Sequence, residues 1–196
     1  MIVDDIQELH FIGSIKHTPS IMRLGILSHN KAKDEGVKLD PIDNPEVQER
    51  RKNKKIPGTE KYLHDYANLY FDAHNPMLSV IRGKNDSICV LRIRKNILDL
   101  EGIIITDQNA SRDCWFRSIE EGLPLLDRNE VFATFWTSSD PFEKYRLKGI
   151  KCAEVLVPKC VHPSYIFGAY VANKMALTNF KQATSLLAEI NGRMFF

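Results

Sequence analysis

The sequence of 196 residues has none of the short motifs by which metal and nucleotide sites are most often found. Its four cysteines show no C-x-x-C spacing, and its six histidines form neither an H-E-x-x-H motif nor a pair four residues apart on a predicted helix. We therefore predict no structural or catalytic metal site. There is also no G-x-S-x-G motif, no P-loop and no G-x-G-x-x-G motif, so any nucleotide must be held by other means.

Long apolar runs are missing as well. No stretch approaches the roughly 18 consecutive apolar residues of a membrane-spanning helix. The opening MIVDDIQEL is acidic and lacks the basic and apolar regions of a secretory signal. The cysteines lie mostly in apolar runs, as reduced and buried thiols do. These absences lead us to expect a cytoplasmic protein.

A strong charge of one sign is the third absence. The formal net charge is only +2, so composition alone does not indicate a nucleic-acid-binding protein, and any basic surface must come from local clustering. The hydrophobic fraction of 43% is enough for a chain of this length to bury one substantial core. We therefore predict a single domain over residues 1–196.

The order of the predicted elements favours an α+β fold. Apolar stretches predict strands at LHFIG, MLSVIR, SICVLRIR, GIIIT, AEVLV and YIFGAYV. Helices are predicted at TPSIMRLG, NPEVQERRK, NASRDCWFRSIEEG and KMALTNFKQATSLLAEING. In the second of these, Asn44 is the expected N-cap and Pro45 opens the helix. Because strands and helices do not alternate regularly, a doubly wound parallel sheet is not favoured.

One acidic residue interrupts an otherwise apolar strand. In the stretch 152–158, CAEVLVP, every residue before the proline is apolar except Glu154. Alternation places Glu154 on the same face as Cys152 and Leu156. An ionised carboxylate is costly to bury without a partner, so Glu154 is a candidate functional residue.

The segment 49–55, ERRKNKK, concentrates the basic residues Arg50, Arg51, Lys52, Lys54 and Lys55. Cations near the end of a helix complement its dipole, so a solvated helix end is one interpretation. A phosphate-binding patch is the other, because the guanidinium group matches phosphate oxygens. The segment leads into YLHDYANLYF, whose rings suit a ligand with both phosphates and flat groups. The residues themselves leave both interpretations open.

The stretch NPEVQERRKNKKIPGTEKYLHDYANLYFDAHNPML resembles the central signature of the DarT family, toxins that ADP-ribosylate bases in single-stranded DNA. Further similarity follows in chain order at PSIMRLGILSHN, IIITDQNA and KCAEVLVPKCVHPSYI, so the resemblance covers nearly the whole chain. It implies an ADP-ribosyltransferase fold, which is a split mixed β-sheet around an NAD cleft with surrounding helices. It also implies NAD as the co-substrate and no metal.

The resemblance assigns catalytic roles to two residues. Glu154 matches the glutamate of the family's A-E-x-L-V pattern, and it would stabilise the positive charge that develops on the ribose as nicotinamide leaves. We expect exposure to the cleft and hydrogen bonds to ribose hydroxyls to offset the cost of burying this carboxylate. Arg51 ends the matched N-P-x-x-x-x-x-R block. It would stabilise negative charge on the NAD pyrophosphate or on the acceptor base, because a guanidinium is a poor general base.

The resemblance also implies NAD-binding positions. The family commonly has an H-x-T triad in its first strand, and HFIGS keeps His10 but has Ile12 in place of the threonine. Asn30 in LSHN matches a recurrent position near NAD. Arg51 is expected to contact NAD as well. For Tyr66, Tyr70 and Met77, lining the nicotinamide pocket and packing in the core are both open.

DNA contacts are expected from the segment 127–152, because the loop before the catalytic glutamate recognises the acceptor in ADP-ribosyltransferases. We predict this segment to be a long loop. Its rings and cations suit exposed bases and phosphates, and the candidates are Trp136, Tyr145, Lys144, Arg146, Lys148 and Lys151. The alternative for Trp136 is that it anchors the loop to the core.

The expected function is transfer of ADP-ribose from NAD to thymine in single-stranded DNA. A toxin of this kind implies a macrodomain antitoxin that removes ADP-ribose. Modification of guanine in DNA, of RNA or of protein remains an alternative. A non-catalytic nucleic-acid-binding module is a further one, although the presence of both Arg51 and Glu154 argues against it.

Overall fold

A computed structural model describes residues 1–38 and 45–196, so the predicted N-cap Asn44 lies outside the described residues. The strands in this part of the chain are β1 (Glu8–Ser14), β2 (Ile26–Leu27), β3 (Tyr66–Tyr70), β4 (Ile88–Arg94), β5 (Ile104–Thr106), β6 (Phe116–Arg117), β7 (Glu154–Pro158), β8 (Cys160–Val161), β9 (Ile166–Val171) and β10 (Ala188–Ile190). The α-helices are α1 (Thr18–Leu24), α2 (His29–Asp34), α3 (Pro45–Asn53), α4 (Pro76–Val80), α5 (Ile119–Gly122), α6 (Arg128–Val131), α7 (Pro141–Ile150) and α8 (Lys174–Ala183). Short 3₁₀ helices lie at Val3–Asp5, Ile15–His17, Leu63–Asp65, Arg82–Ser87, Lys95–Asp99, Leu123–Leu125 and Pro163–Tyr165.

Eight strands form one sheet in the order β10–β9–β4–β1–β3–β7–β5–β6. β10 runs parallel to β9, and the other neighbours in this sheet are antiparallel. β2 and β8 form a separate antiparallel pair. The large sheet is therefore mixed and is surrounded by helices, which confirms the predicted α+β class.

The large sheet is nearly divided between β1 and β3. These two strands pair at one position, His10 with Tyr70, whereas β1 pairs with β4 along its whole length. In an unbroken ladder Ser14 would lie opposite Tyr66, but the strands diverge before they reach that point. The sheet therefore contains a fork, and its base is the pair His10–Tyr70.

The alternation predicted for β7 is confirmed. Ala153, Val155 and Val157 belong to the main hydrophobic core. Leu156, on the opposite face, packs in a smaller cluster, and Cys152 packs in another. Glu154 shares that opposite face and lies between these two smaller clusters.

The prediction of a strand at MLSVIR is wrong, because this stretch lies in α4 and at the start of the following 3₁₀ helix. The side chain of Asn75 accepts a hydrogen bond from the N–H of Leu78, and Pro76 opens the helix. This local capping outweighs the apolar character of the run.

Two predicted helices are shorter than expected. The stretch NASRDCWFRSIEEG is helical only in α5, because Phe116 and Arg117 pair with β5. The last helix ends at Ala183, and β10 then pairs with β9. In both places, pairing with the sheet ends a pattern that is locally helical.

The prediction that the segment 127–152 is a long loop is also wrong, because the segment contains the helices α6 and α7. Asp140 caps α7 by accepting a hydrogen bond from the N–H of Phe142, and Pro141 follows at the first helical position.

Within residues 1–38 and 45–196, no helix has both the length and the apolar character needed to cross a bilayer.

Candidate active site

Glu154 lies at the base of the fork. In the register of the sheet, Glu154 of β7 pairs with Tyr70 of β3, which in turn pairs with His10 of β1. Directly opposed residues of antiparallel strands present their side chains on the same face. The row His10, Tyr70 and Glu154 therefore crosses the sheet where its two halves separate.

Arg51 reaches Glu154 from α3. Its Nη1 donates to Glu154 Oε1 at 2.9 Å, and its Nη2 donates to Oε2 at 3.0 Å. Arg51 is 5% exposed and Glu154 is 0% exposed. The two residues assigned catalytic roles thus meet in a buried bidentate ion pair, the geometry that a planar guanidinium and a carboxylate favour.

The burial of Glu154 differs from the expectation. We expected the cleft and the ribose hydroxyls to offset the cost of burial, but Arg51 covers the carboxylate, and the N–H of Ala110 donates to Oε1 at 3.1 Å. Within the described residues, Oε1 thus accepts two hydrogen bonds and Oε2 accepts one. The protein itself compensates the buried charge, and Oε2 keeps capacity for a further donor.

The segment 107–115 holds Ala110 over Glu154. Thr106 Oγ1 accepts a hydrogen bond from the N–H of Glu154 at 3.2 Å and donates to the carbonyl of Gln108 at 2.6 Å. Asp107 Oδ1 accepts from the N–H of Trp115 at 3.1 Å, which closes the segment at its far end. These bonds fix the amide that faces the carboxylate.

A cavity of about 340 Å³, here called the strand cavity, fills the fork. Its walls include residues of α1, α2 and α3 and residues of β1 and β3 on either side of the divergence. The lining residues from the two strands are Phe11, Ile12, Gly13, Ser14, Tyr66, Ala67, Asn68 and Tyr70. Concave sites of this size with mostly apolar walls and a few polar groups are typical of small-molecule sites. Four of the predicted NAD-binding residues line it: Ile12, Tyr66, Tyr70 and Met77.

A second cavity of about 480 Å³, the helix cavity, adjoins the first. Its walls come from α3, α4, α7 and the segment 109–112. Both cavities are lined by Gln48, Asn68, Tyr70 and Met77. The helix cavity has a basic lining that includes Arg50, Arg51, Arg112 and Lys148, so it is suited to an anionic ligand.

The basic segment 49–55 divides between its two interpretations. Arg51 is buried and Arg50 lines the helix cavity. Lys52 and Lys55 form ion pairs with exposed glutamates, at 3.9 and 2.6 Å. Arg50 and Arg51 therefore belong to the site, Lys52 and Lys55 lie on a solvated surface, and the half-buried Lys54 donates to the carbonyl of Arg112.

Two stacked histidines lie near Arg51. The ring centroids of His29 and His64 are 4.2 Å apart with planes inclined by 9°, and His64 Nε2 lies 3.3 Å from Gln48 Oε1. Burial, followed by the proximity of His29 and Arg51, lowers the pKa of His64 to about 4. Burial and then Arg51 also lower the pKa of His29. Both rings are therefore neutral at pH 7.

The structure places two predicted NAD contacts elsewhere. His10 Nε2 lies 3.1 Å from Glu8 Oε1, and its ring faces that of Tyr170 with centroids 6.3 Å apart. Asn30 donates to Asp65 Oδ1 at 2.6 Å and lines a different cavity. Within the described residues, His10 Nδ1 is buried without a hydrogen-bond partner. Neither His10 nor Asn30 lines the strand cavity.

The prediction that Lys151 binds DNA is wrong for this conformation. Lys151 is 2% exposed, and its Nζ lies 2.5 Å from Asp72 Oδ2. The apolar surroundings of this position require a partner for the charge, and Asp72 supplies it.

Arg146 is exposed, but its Nε donates to Glu143 at 2.8 Å and its Nη1 donates to Glu130 at 3.0 Å. These two carboxylates offset the charge of Arg146.

The other predicted DNA contacts differ in accessibility. Trp136 packs edge-on against the rings of His74 and Phe196, at centroid distances of 5.6 and 5.5 Å, which favours the anchoring alternative. Tyr145 is 63% exposed and lines the helix cavity. Lys148 is also exposed and lines the same cavity. Lys144 is exposed on the same helix, α7.

Gln48 and Arg112 line the cavities, although neither was predicted from the sequence as a site residue. Gln48 precedes Arg51 by three positions on α3, and this spacing is a signal that the two share one helix face. Arg112 has no such signal, because its stretch has a helical pattern but lies in the loop before β6.

In the part of the chain that the structure describes, no group of three or more His, Cys, Asp or Glu side chains is placed to hold a metal ion.

A family model described as "ssDNA thymidine ADP-ribosyltransferase, DarT" matches residues 10–195. A relative from Thermosipho africanus (strain H17ap60334), named "DNA ADP-ribosyl transferase-DNA ADP-ribosyl glycohydrolase fusion protein", is 28% identical over 187 residues, which are 90% of this chain and 45% of the relative. The chain thus spans about half the length of this relative. The solved structure of Thermosipho africanus DarTG in complex with ADP-ribose has a TM-score of 0.85 at 27% identity, and the match covers 97% of this chain and 51% of that chain.

A second relative, from Thermus sp. (strain 2.9), is named "DNA ADP-ribosyl transferase". It is 32% identical over 164 residues, which are 77% of this chain and 74% of the relative. The solved structure of Thermus sp. 2.9 DarT in complex with ADP-ribosylated ssDNA has a TM-score of 0.79 at 25% identity, covering 98% of this chain and 97% of that chain.

Proposed function

The chain belongs to the DarT family of single-stranded DNA thymidine ADP-ribosyltransferases, and on this premise we propose that it transfers ADP-ribose from NAD to thymine in single-stranded DNA. The observation that carries the proposal is the buried Arg51–Glu154 pair at the base of a fork. Two adjoining cavities meet beside this pair, as a reaction between two substrates requires.

We assign NAD to the strand cavity and the acceptor base to the helix cavity. The strand cavity is the more apolar site and has ring-bearing walls at Tyr66 and Tyr70, which suit the flat rings of NAD. The helix cavity is basic and is bordered by the exposed ring of Tyr145, which suits a phosphate backbone with unpaired bases. The reacting ribose would then lie where the cavities adjoin, next to Tyr70 and Met77.

The reaction exchanges one bond for another at the anomeric carbon of the ribose. The bond from this carbon to the nicotinamide nitrogen breaks, its electron pair stays on that nitrogen, and neutral nicotinamide leaves. A ring nitrogen of the base forms the new bond, and its proton passes to water or to Glu154. Positive charge develops on the ribose during the exchange, and a preorganised anion stabilises that state more than the ground state.

Glu154 supplies this anion, with Oε2 as the oxygen that retains capacity to accept a ribose hydroxyl. Because Glu154 has no solvent exposure, substrate contact requires a small displacement of Arg51 or of the segment that carries Ala110. Arg51 also borders the helix cavity, where its guanidinium can stabilise negative charge on a base that loses its proton.

The same premise supports a role as the toxin of a toxin–antitoxin pair acting in the cytoplasm, where NAD and single-stranded DNA are both available. The Thermosipho relative joins an ADP-ribosyl transferase to an ADP-ribosyl glycohydrolase in one chain. We propose that a macrodomain with this hydrolase activity is the antitoxin partner and removes ADP-ribose from the DNA.

The proposal is tested by incubating the protein with NAD and, separately, with single-stranded DNA, RNA and bulk protein. We expect the mass increase of one ADP-ribose on DNA oligonucleotides that contain thymine, and none on otherwise identical strands without it. Modification of guanine-containing strands instead would favour the guanine alternative. Modification of RNA or protein, with DNA unchanged, would contradict the proposal.

A further inference from the structure

Arg112 lies over an exposed ring at the wall of the helix cavity. Its guanidinium carbon lies 3.9 Å from the ring centroid of Tyr145, and its Nη1 donates to the carbonyl of Tyr145 at 3.0 Å. Lys54 donates to the carbonyl of Arg112 and so holds its backbone. Two of these contacts therefore restrain the guanidinium group itself, and the third restrains the backbone that carries it.

Part of this guanidinium group remains available for a ligand. Among residues 1–38 and 45–196, no acceptor contacts its Nε or Nη2, although Arg112 is half-buried and lines the helix cavity. Asn109, Ser111 and Arg51 line the same cavity. A planar donor group thus stands in the cavity that also contains the Arg51 end of the catalytic pair.

We propose that Arg112 recognises the acceptor base directly and selects bases that carry a carbonyl oxygen at the position of thymine O4 or guanine O6, a specificity that rests on the function proposed above. Thymine and guanine have such an oxygen, so the N–H groups of a guanidinium can donate to them. Cytosine and adenine present an amino group at the corresponding position, and two donors would then face each other. In single-stranded DNA these edges are unpaired and therefore accessible.

The geometry favours recognition of a base over recognition of a phosphate. Arginine and lysine both bind phosphates, lysine as a point charge, so a phosphate contact does not require a guanidinium that is held in one place. The contact with the Tyr145 ring and the bond to the Tyr145 carbonyl instead hold the guanidinium in one place. The carbonyl oxygens also carry part of the negative charge when the ring nitrogen of thymine loses its proton, so the contact strengthens as the reaction proceeds.

Gly149 of α7 provides the space that this arrangement needs. A methyl group added there would lie 2.5 Å from Arg112 Nη1 and closer still to Gln108 Oε1, which are the ends of flexible side chains. Gly149→Ala is therefore expected to displace Arg112 from Tyr145 without disturbing α7, since alanine favours a helix. This variant moves Arg112 while it keeps the arginine charge.

The test measures binding of two oligonucleotides that differ only by thymine or cytosine at one position, with ADP-ribose present. We expect the wild-type protein to bind the thymine strand about tenfold more tightly. Arg112→Lys and Gly149→Ala should bring this ratio close to one, while the salt dependence of binding by Arg112→Lys stays unchanged because its charge is kept. The matched control is Arg94→Lys, since Arg94 also lies over a ring, that of Phe167 at 5.2 Å, but outside both cavities.

A wild-type thymine-to-cytosine ratio of one would overturn the inference, and so would an Arg112→Lys protein that keeps the wild-type ratio. Equal loss of affinity for both strands would also overturn it, because a phosphate contact or a structural defect would explain that result. Mass analysis of wild-type protein with NAD and the thymine strand reports the proposed function separately. If wild-type protein modifies the DNA but Arg112→Lys keeps the wild-type ratio of thymine to cytosine affinity, only the role of Arg112 is rejected. If Arg112→Lys changes this ratio but wild-type protein does not modify the DNA, only the proposed activity is rejected.

Discussion

The two terminal nitrogens of Arg51 donate to the two carboxylate oxygens of Glu154, at 2.9 and 3.0 Å, although the residues lie 103 positions apart in the sequence. Each residue therefore compensates the charge of the other at a position that excludes water. The pair links α3 to β7 and gives the site both its charge and part of its stability. A change in one partner is expected to affect the other.

We predict that Arg51→Met and Glu154→Gln each lower the free energy of unfolding by about 3–5 kcal/mol, because each leaves a buried charge without its partner. The double variant should lose less than the sum of the two losses, since no isolated charge remains. Urea denaturation of the four proteins measures the coupling. The matched control is Lys31→Met in the exposed pair Lys31–Glu35, for which a loss below about 1 kcal/mol is expected. Additive losses at Arg51 and Glu154 would show that the two side chains do not interact in solution.

The histidine stack predicts a pH dependence of stability. The pKa of His64 is lowered to about 4 in the folded protein, chiefly by burial, whereas an unfolded histidine titrates near about 6.5. Between these values the unfolded state binds more protons, so stability falls as the pH decreases through this window. His64→Asn should lose less stability than wild type between pH 7 and pH 4.5. Urea midpoints at both pH values measure the difference. The exposed His162 offers the control His162→Asn, which should behave as wild type does.

The basic residues of α7 and its end should separate into two classes. Lys144 and Lys148 are exposed, so changing both to alanine should weaken DNA binding and reduce its salt dependence by about 0.7 in log–log slope for each phosphate that the variant no longer neutralises. Lys151→Met should instead lower stability, because Asp72 loses its partner, and leave the salt slope unchanged. Binding isotherms at several salt concentrations, with thermal unfolding of each variant, distinguish the classes. A slope that changes in Lys151→Met but not in Lys144→Ala/Lys148→Ala would reverse this assignment.

Much of the fold follows from local patterns in the sequence. The apolar alternation of 152–158 predicts β7 and the face of Glu154, and the structure confirms both. The proline and asparagine of NPML are helix-start signals, yet the apolar run after them favours a strand until the cap at Asn75 is considered. In the same way, Asp140 and Pro141 mark the start of α7 inside a segment that otherwise has the composition of a loop.

The arrangement of the site depends on contacts that no local pattern contains. The strand prediction for Glu154 raises the question of its partner, but only the folded chain shows that Arg51 covers it. Lys151 has the composition of a DNA contact in the sequence, whereas its burial against Asp72 depends on how α7 meets β3. The same holds for Arg112, whose place beside Tyr145 is set by the close approach that Gly149 permits.

The central claim, that the charge of Glu154 stabilises the transition state for loss of nicotinamide, is tested most directly by the rate at which Glu154→Gln modifies a thymine-containing oligonucleotide. The measurement is single-turnover ADP-ribosylation read by mass shift, with NAD affinity measured in parallel and Glu154→Ala alongside. We predict that Gln and Ala variants both lose at least about 10²–10³ in rate while NAD binds with little change, because the amide keeps the shape and an acceptor but not the charge. A Glu154→Gln protein that modifies the oligonucleotide at the wild-type rate would contradict the account.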